Sequence, residues 1–220
     1  AIEAGYKPES KFVDSAINID GWSPQNYDRK FYGEMTLKQA FARSVNTIAV
    51  KVSERVGRDA VIKTTRRLGI TTRLTTSPSL ALGTFGVSLI ELTGAYAVLA
   101  NGGKGIWPFG LREISSPAGD KLYLRQGDGA GQIIEPQHVK LMNILMSEVV
   151  RSGTGKNVKL GMPVYGKTGT SQAFRDGWFI GYTGDIVAGV WIGNDNESPM
   201  KKVTGGTLPA AIWEKVIIEA

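Results

Sequence analysis

The stretch Trp178-Phe179-Ile180-Gly181-Tyr182-Thr183-Gly184-Asp185-Ile186-Val187-Ala188-Gly189-Val190-Trp191-Ile192 decides the fold. β-Branched and aromatic residues run on either side of Gly184-Asp185, so the segment reads as two strands, Trp178–Thr183 and Ile186–Ile192, closed by a two-residue hairpin. Working backward, the period of two begins at Val164. Working forward, Pro209 stands at a first-turn position and leads a terminal helix through Ile212, Trp213, Val216 and Ile217.

Upstream of the hairpin the period is helical. After an irregular opening up to Gly33, Thr36 and Gln39 form a capping box, and Leu37, Ala40, Phe41, Ile48, Val52 and Val56 recur at helical spacing, with room for one interruption. A short helix follows from Asp59 to Leu68, stopped by Gly69. Ser88 and Glu91 make a second capping box, opening an apolar and well-buried helix that ends at Asn101-Gly102-Gly103. Residues 104–134 alternate short β-like pieces with turns. Pro136 then starts a helix whose Val139, Met142, Leu145, Met146 and Val149 face a core, and Gly153-Thr154-Gly155 breaks it. Helices first, an antiparallel sheet later and a closing helix make an α+β chain, and no linker divides residues 1–220.

Composition narrows the chemistry. The 220 residues contain no cysteine and one histidine, His138, within the apolar run 135–150. Disulfides, thiolate nucleophiles, thiolate metal sites and multi-histidine metal centres are therefore excluded, and a Ser-His-Asp triad would have to run through His138 alone. The 26 Lys and Arg against 20 Asp and Glu give a net charge of +6. These residues are scattered, which suits a solvated basic surface better than a nucleic-acid-binding patch. No apolar run reaches the roughly 18–20 residues of a membrane helix, and the amino end shows no signal-peptide pattern. The opening Ala1-Ile2-Glu3-Ala4-Gly5 reads as the last turn of a helix, so the chain is expected to enter mid-domain.

Gly161-Met162-Pro163-Val164-Tyr165-Gly166-Lys167-Thr168 matches the phosphate-loop pattern letter for letter. That pattern needs a strand before it and a helix opening at its lysine, whereas here the interior is itself strand-like and Gly169-Thr170 follow. Read as a strand edge, Lys167-Thr168-Gly169-Thr170 places Lys167 and Gly169 on one face and Thr168 and Thr170 on the other. Such an edge can dock an extended substrate, with an ammonium beside it for a carboxylate. Ser44-Val45-Asn46 is less decided. On a continuous helix Ser44 and Asn46 point about 200° apart, so either the helix breaks there and presents both to a cleft, or the pair is incidental.

Order links these segments. Ser44-Val45-Asn46, Ser77-Pro78-Ser79-Leu80-Ala81-Leu82-Gly83, Gly153-Thr154-Gly155, Lys167-Thr168-Gly169-Thr170 and Arg175-Asp176-Gly177-Trp178-Phe179-Ile180-Gly181-Tyr182 follow one another as in the transpeptidase domain of class A penicillin-binding proteins, which the chain resembles from end to end. Lys156-Asn157-Val158 after Gly155 and Gly177 before Trp178 depart from that pattern outside the cleft.

The resemblance implies a cleft where S-x-x-K, S-x-N and K-[ST]-G motifs converge. It implies a proton-relay role for Ser44 and a substrate-amide contact for Asn46. Lys167, Thr168 and Thr170 would hold the substrate carboxylate, Gly169 would let it approach, and the Thr170 N–H would supply half of an oxyanion hole, a donor worth roughly 3 kcal/mol. In the family the S-x-x-K serine and lysine sit near the start of a helix whose final turn Ala1–Gly5 resembles, so the resemblance implies them just upstream of Ala1; Ser198-Pro199-Met200-Lys201 lies on the wrong side of the other motifs. The implied fold is the β-lactamase/transpeptidase type without its first strands and nucleophile helix. The implied activity is D,D-transpeptidation of peptidoglycan stem peptides without a cofactor, on the periplasmic face of the inner membrane, with β-lactams acylating the same serine. The 220 residues alone are expected to be inert and to self-associate or pair with the missing amino-terminal part. A serine β-lactamase, a penicillin-sensing domain and, more remotely, a phosphate-loop nucleotide hydrolase are the alternative readings.

Overall fold

The computed structural model describes residues 1–127 and 129–220. Strand β1 (Lys11–Asp14) pairs antiparallel with β2 (Gly33–Thr36), Phe12 opposite Met35. The opening to Gly33 is thus not wholly irregular. A four-residue strand whose partner lies some twenty residues on carries too short an alternation to stand out in sequence.

β2 runs directly into α1 (Leu37–Arg43), capped by Thr36 and Gln39 in the reciprocal box. Helix α2 (Asn46–Val56) follows after a break at Ser44-Val45, then α3 (Arg58–Arg67). Helix α4 (Leu89–Ala100) has the second box, Ser88 with Glu91. It is apolar all round, yet only Ala95 and Val98 are fully buried and Ile90 is 62% exposed, so the expectation of a well-buried helix holds for one stripe only. β3 (Glu113–Ser115) and β4 (Lys121–Leu124) form an exposed hairpin. Helix α5 (Pro136–Arg151) buries Val139, Leu145, Met146 and Val149.

The main sheet comprises β5 (Tyr165–Thr170), β6 (Asp176–Tyr182) and β7 (Val187–Gly193), antiparallel in that order, with β5 at an edge. Thr183 N–H donates to the Ile186 carbonyl at 3.0 Å and closes the turn at Gly184-Asp185. Helix α6 (Leu208–Glu219) crosses one face of this sheet, where Phe179 and Trp213, both fully buried, stack with centroids 5.1 Å apart. Ile212 and Val216, grouped with Trp213 by sequence, lie on the outer side at 37% and 46% exposure. On the other face Tyr182 Oη donates to Asn143 of α5, and Thr93 of α4 sits over Gly189. Between α1, α2, α5 and the β1–β2 pair lies a second core of Phe12, Met35, Leu37, Val45, Ile48 and Leu145. No helix among the described residues is long and apolar enough to cross a membrane.

Candidate active site

The site begins with a helix that stops early. Ser44 takes the left-handed conformation, φ 56° and ψ 48°, and Val45 N–H reaches back to the Ala40 carbonyl at 2.9 Å. Glycine usually fills such a cap; a side chain there costs roughly 1–2 kcal/mol. Partners from elsewhere in the chain hold the break open. The Ala42 carbonyl, which a continuous helix would give to the Asn46 N–H, instead accepts from Thr154 N–H at 3.0 Å. That approach needs Gly153, because a Cβ there would lie 2.2 Å from the Ala42 carbonyl oxygen. Of the two alternatives left by the sequence, the structure has the broken helix.

Strand β5 supplies the opposite wall. Lys167 Nζ donates to Ser44 Oγ at 2.9 Å across 123 residues of sequence, and to the Thr168 carbonyl at 3.0 Å, while lying 5.7 Å from the Phe41 ring centre. No carboxylate among the described residues forms an ion pair with it. Burial pushes the ammonium down to about 8. A cation of this kind, unpaired and half-buried, favours a ligand carboxylate.

The strand's alternation is as expected. Thr168 Oγ1 shares a 2.6 Å hydrogen bond with Thr154 Oγ1, and Thr170 Oγ1 accepts from Gly205 N–H at 3.0 Å. Gly205 lies so close that a Cβ on it would be 2.5 Å from the Gly169 carbonyl oxygen and 2.2 Å from that of Trp178. The Thr168 hydroxyl is thereby oriented by the turn after α5, and that of Thr170 by the segment leading into α6. Ser171 N–H donates inward to Asp176 at 3.1 Å, so the antiparallel alternation turns the Thr170 N–H to the open edge of β5. Lys167 lies inside a strand, and only a three-residue 3-10 turn at Gln172–Phe174 follows it, whereas a phosphate loop requires an α-helix opening at the lysine.

Asn46, the first residue of α2, donates from Nδ2 to the Gln25 carbonyl at 2.8 Å and makes no hydrogen bond with Ser44 or Lys167. The segment carrying Gln25 also carries Tyr27, 77% exposed, whose ring meets Phe174 edge-on at 6.4 Å. Phe174 belongs to the turn after β5 and has φ 56°. Sequence patterning points to no site role for Gln25, Tyr27 or Phe174, and to Thr154 only through the Gly153-Thr154-Gly155 motif. Ser198 sits in a loop with its N–H on Asn196 Oδ1, not on a helix.

A helix break presenting a serine and an asparagine thus faces an edge strand that carries a lysine without an ion-pair partner and two oriented threonines, and together they line one cleft. Residues 1–217 match the family model "Penicillin binding protein transpeptidase domain", and the chain belongs to that family. It is 35% identical over 214 residues to penicillin-binding protein 1A of Aquifex aeolicus, covering 96% of this chain and 29% of that protein. The chain thus spans less than a third of that relative's length. Among solved structures, penicillin-binding protein 1A of Haemophilus influenzae superposes with a TM-score of 0.88 at 22% identity, over 98% of this chain and 39% of that one. PonA1 of Mycobacterium tuberculosis in complex with penicillin V superposes with a TM-score of 0.86 at 24% identity, over 98% and 64%. These likenesses establish the β-lactamase/transpeptidase-type α+β fold.

Proposed function

We propose that residues 1–220 form one partial domain, the carboxy-terminal portion of a serine D,D-transpeptidase that cross-links peptidoglycan stem peptides outside the cytoplasm, at the periplasmic face of the inner membrane. The observation that carries this reading is the 2.9 Å contact between Lys167 Nζ and Ser44 Oγ beside the open edge of β5. In a longer parent, with a glycosyltransferase domain upstream, an S-x-x-K serine attacks the D-Ala-D-Ala carbonyl carbon. Negative charge collects on the carbonyl oxygen, where the outward Thr170 N–H offers one donor. Collapse expels D-alanine and leaves an acyl-enzyme, which an amine of a neighbouring stem then attacks.

Within this scheme Ser44 Oγ, held by Lys167, relays the proton to the leaving amine. Lys167 keeps the cleft positive, and Thr168 and Thr170 meet the substrate carboxylate over the bare backbone of Gly169. Asn46 presents its amide to the substrate amide. A penicillin carries a carboxylate and an amide of its own, which would meet the same groups.

Because S-x-x-K does not precede Ser44 within these 220 residues, they are inert alone. Intact-mass spectrometry after incubation with a labelled penicillin tests both halves of the proposal. The full-length protein gains one long-lived adduct on a serine upstream of Ala1, and residues 1–220 gain none. A stoichiometric adduct on the 220-residue chain, at Ser198 or elsewhere, overturns the assignment, and rapid hydrolysis of the full-length adduct indicates a β-lactamase instead.

A further inference from the structure

We propose that Asp14, remote in sequence from every motif of the cleft, is a positioning residue that acts through Asn46; the inference rests on the role given to Asn46 above. Asp14 ends β1 and is 1% exposed. Its carboxylate accepts from Asn26 Nδ2 at 3.0 and 2.9 Å, from Tyr32 N–H at 2.8 Å and from the Thr47 hydroxyl. Thr47 is fully buried, and its N–H points at Asn26 Oδ1 at 3.4 Å. Asn26 Nδ2 also donates to the Lys30 carbonyl at 2.8 Å, closing the loop between β1 and β2 on itself. Flanking the knot, Lys51 Nζ donates to the carbonyls of Val13 and Ser15.

Two neighbouring pairs are joined here. Asn26 and Thr47 meet on the buried carboxylate, while Gln25 and Asn46, one residue before each, meet at the cleft surface. The Gln25 carbonyl can only accept, so it requires the Asn46 nitrogen toward it and fixes which way the amide faces the cleft. Amide, hydroxyl and backbone donors all converge on Asp14, and only an acceptor-only group satisfies them together. An amide there would set an NH2 against a donor, release the loop and free the Asn46 side chain to turn over. Cleft chemistry is thus tied to a buried carboxylate that touches no substrate.

The test measures acylation rate constants of the full-length protein with benzylpenicillin, which carries an acyl amide, and with 6-aminopenicillanic acid, which lacks it. Asn46→Ala lowers the ratio of the two rates by about tenfold, the weight of a lost buried hydrogen bond. Asp14→Asn and Thr47→Val lower the same ratio by roughly three- to tenfold, and Thr47→Ser restores it. In an Asn46→Ala background the Asp14 substitution lowers the ratio no further. An equal loss on both ligands, or full additivity with Asn46→Ala, overturns the proposal in favour of a merely structural carboxylate. Should Asp14→Asn fail to fold, Thr47→Val, nearly isosteric, decides alone. An unchanged ratio in Asn46→Ala rejects the role of Asn46 and the positioning with it; a changed ratio there with none in Asp14→Asn or Thr47→Val rejects the positioning only.

Discussion

Lys167 and Ser44 can be separated by experiment because each carries a different physical strain. Burial holds the Lys167 pKa at about 8, below its ordinary 10.5. Below pH 8 the folded protein therefore bears a disfavoured buried charge. Between pH 8 and 10.5 the folded state has released a proton that the unfolded chain still binds, so stability rises with pH across that window. The expected outcome is that Lys167→Met melts at least roughly 2–4 °C above the parent at pH 7, with the gap closing by pH 10. The same variant loses about 10- to 100-fold in penicillin acylation through the missing charged contact, and the parent's acylation rate itself declines as pH passes 8. A gap independent of pH in the melting curves contradicts the assignment of burial as the cause. For Ser44 the strain lies in the backbone, at φ 56°. Ser44→Gly relieves it, so the variant is expected to match or exceed the parent in unfolding free energy from denaturant titration by up to about 1 kcal/mol, while losing acylation rate together with the hydroxyl.

At the scale of elements, the cleft depends on two chain segments meeting where a helix would otherwise continue. Gly153 admits Thr154 to the Ala42 carbonyl, and the same turn delivers Thr154 Oγ1 to Thr168. Gly153→Ala forces a Cβ to within 2.2 Å of that oxygen, so α1 and α5 must separate. A loss of roughly 1–3 kcal/mol in equilibrium denaturation is expected, with weakened acylation because Ser44 moves with the end of α1. On the α6 face of the sheet, Trp213 is fully buried against Phe179 of β6, and Trp213→Ala is expected to cost about 3–5 kcal/mol. The elements themselves were largely legible. Both capping boxes are local, Pro136 and Pro209 mark helix starts, and β6–turn–β7 is a contiguous apolar stretch, so no distant partner was needed to read them. Strand β1 was not legible, since four residues specify nothing until Gly33–Thr36 pairs with them.

For the whole molecule, the sheet presents two edges of different character. β5 borders the cleft, whereas β7 has no strand on its outer side among the described residues, with Trp191 exposed beside it and Ile212, Val216 and Ile218 exposed on α6. Unpaired N–H and C=O groups beside apolar side chains favour association. Light scattering on residues 1–220 expressed alone is expected to show self-association, relieved by co-expression with the preceding segment of the parent. A monodisperse monomer with a high melting temperature contradicts this.

The sequence by itself determined the α+β class, the capped helices, the hairpin and the face of β5 that carries Lys167, because each follows from contiguous residues and a local period. It also determined which residue types were available for chemistry, through the missing cysteines and the single histidine. Whether Ser44-Val45-Asn46 was a break or an incident within a helix was decided only by tertiary structure. The Ala42 carbonyl and the Thr47 N–H find partners at Thr154 and Asn26, 112 and 21 residues away, in place of their helical ones. The part of Asp14 was hidden for the same reason. A buried carboxylate takes its meaning from the donors that converge on it, and three chain segments bring those together only on folding.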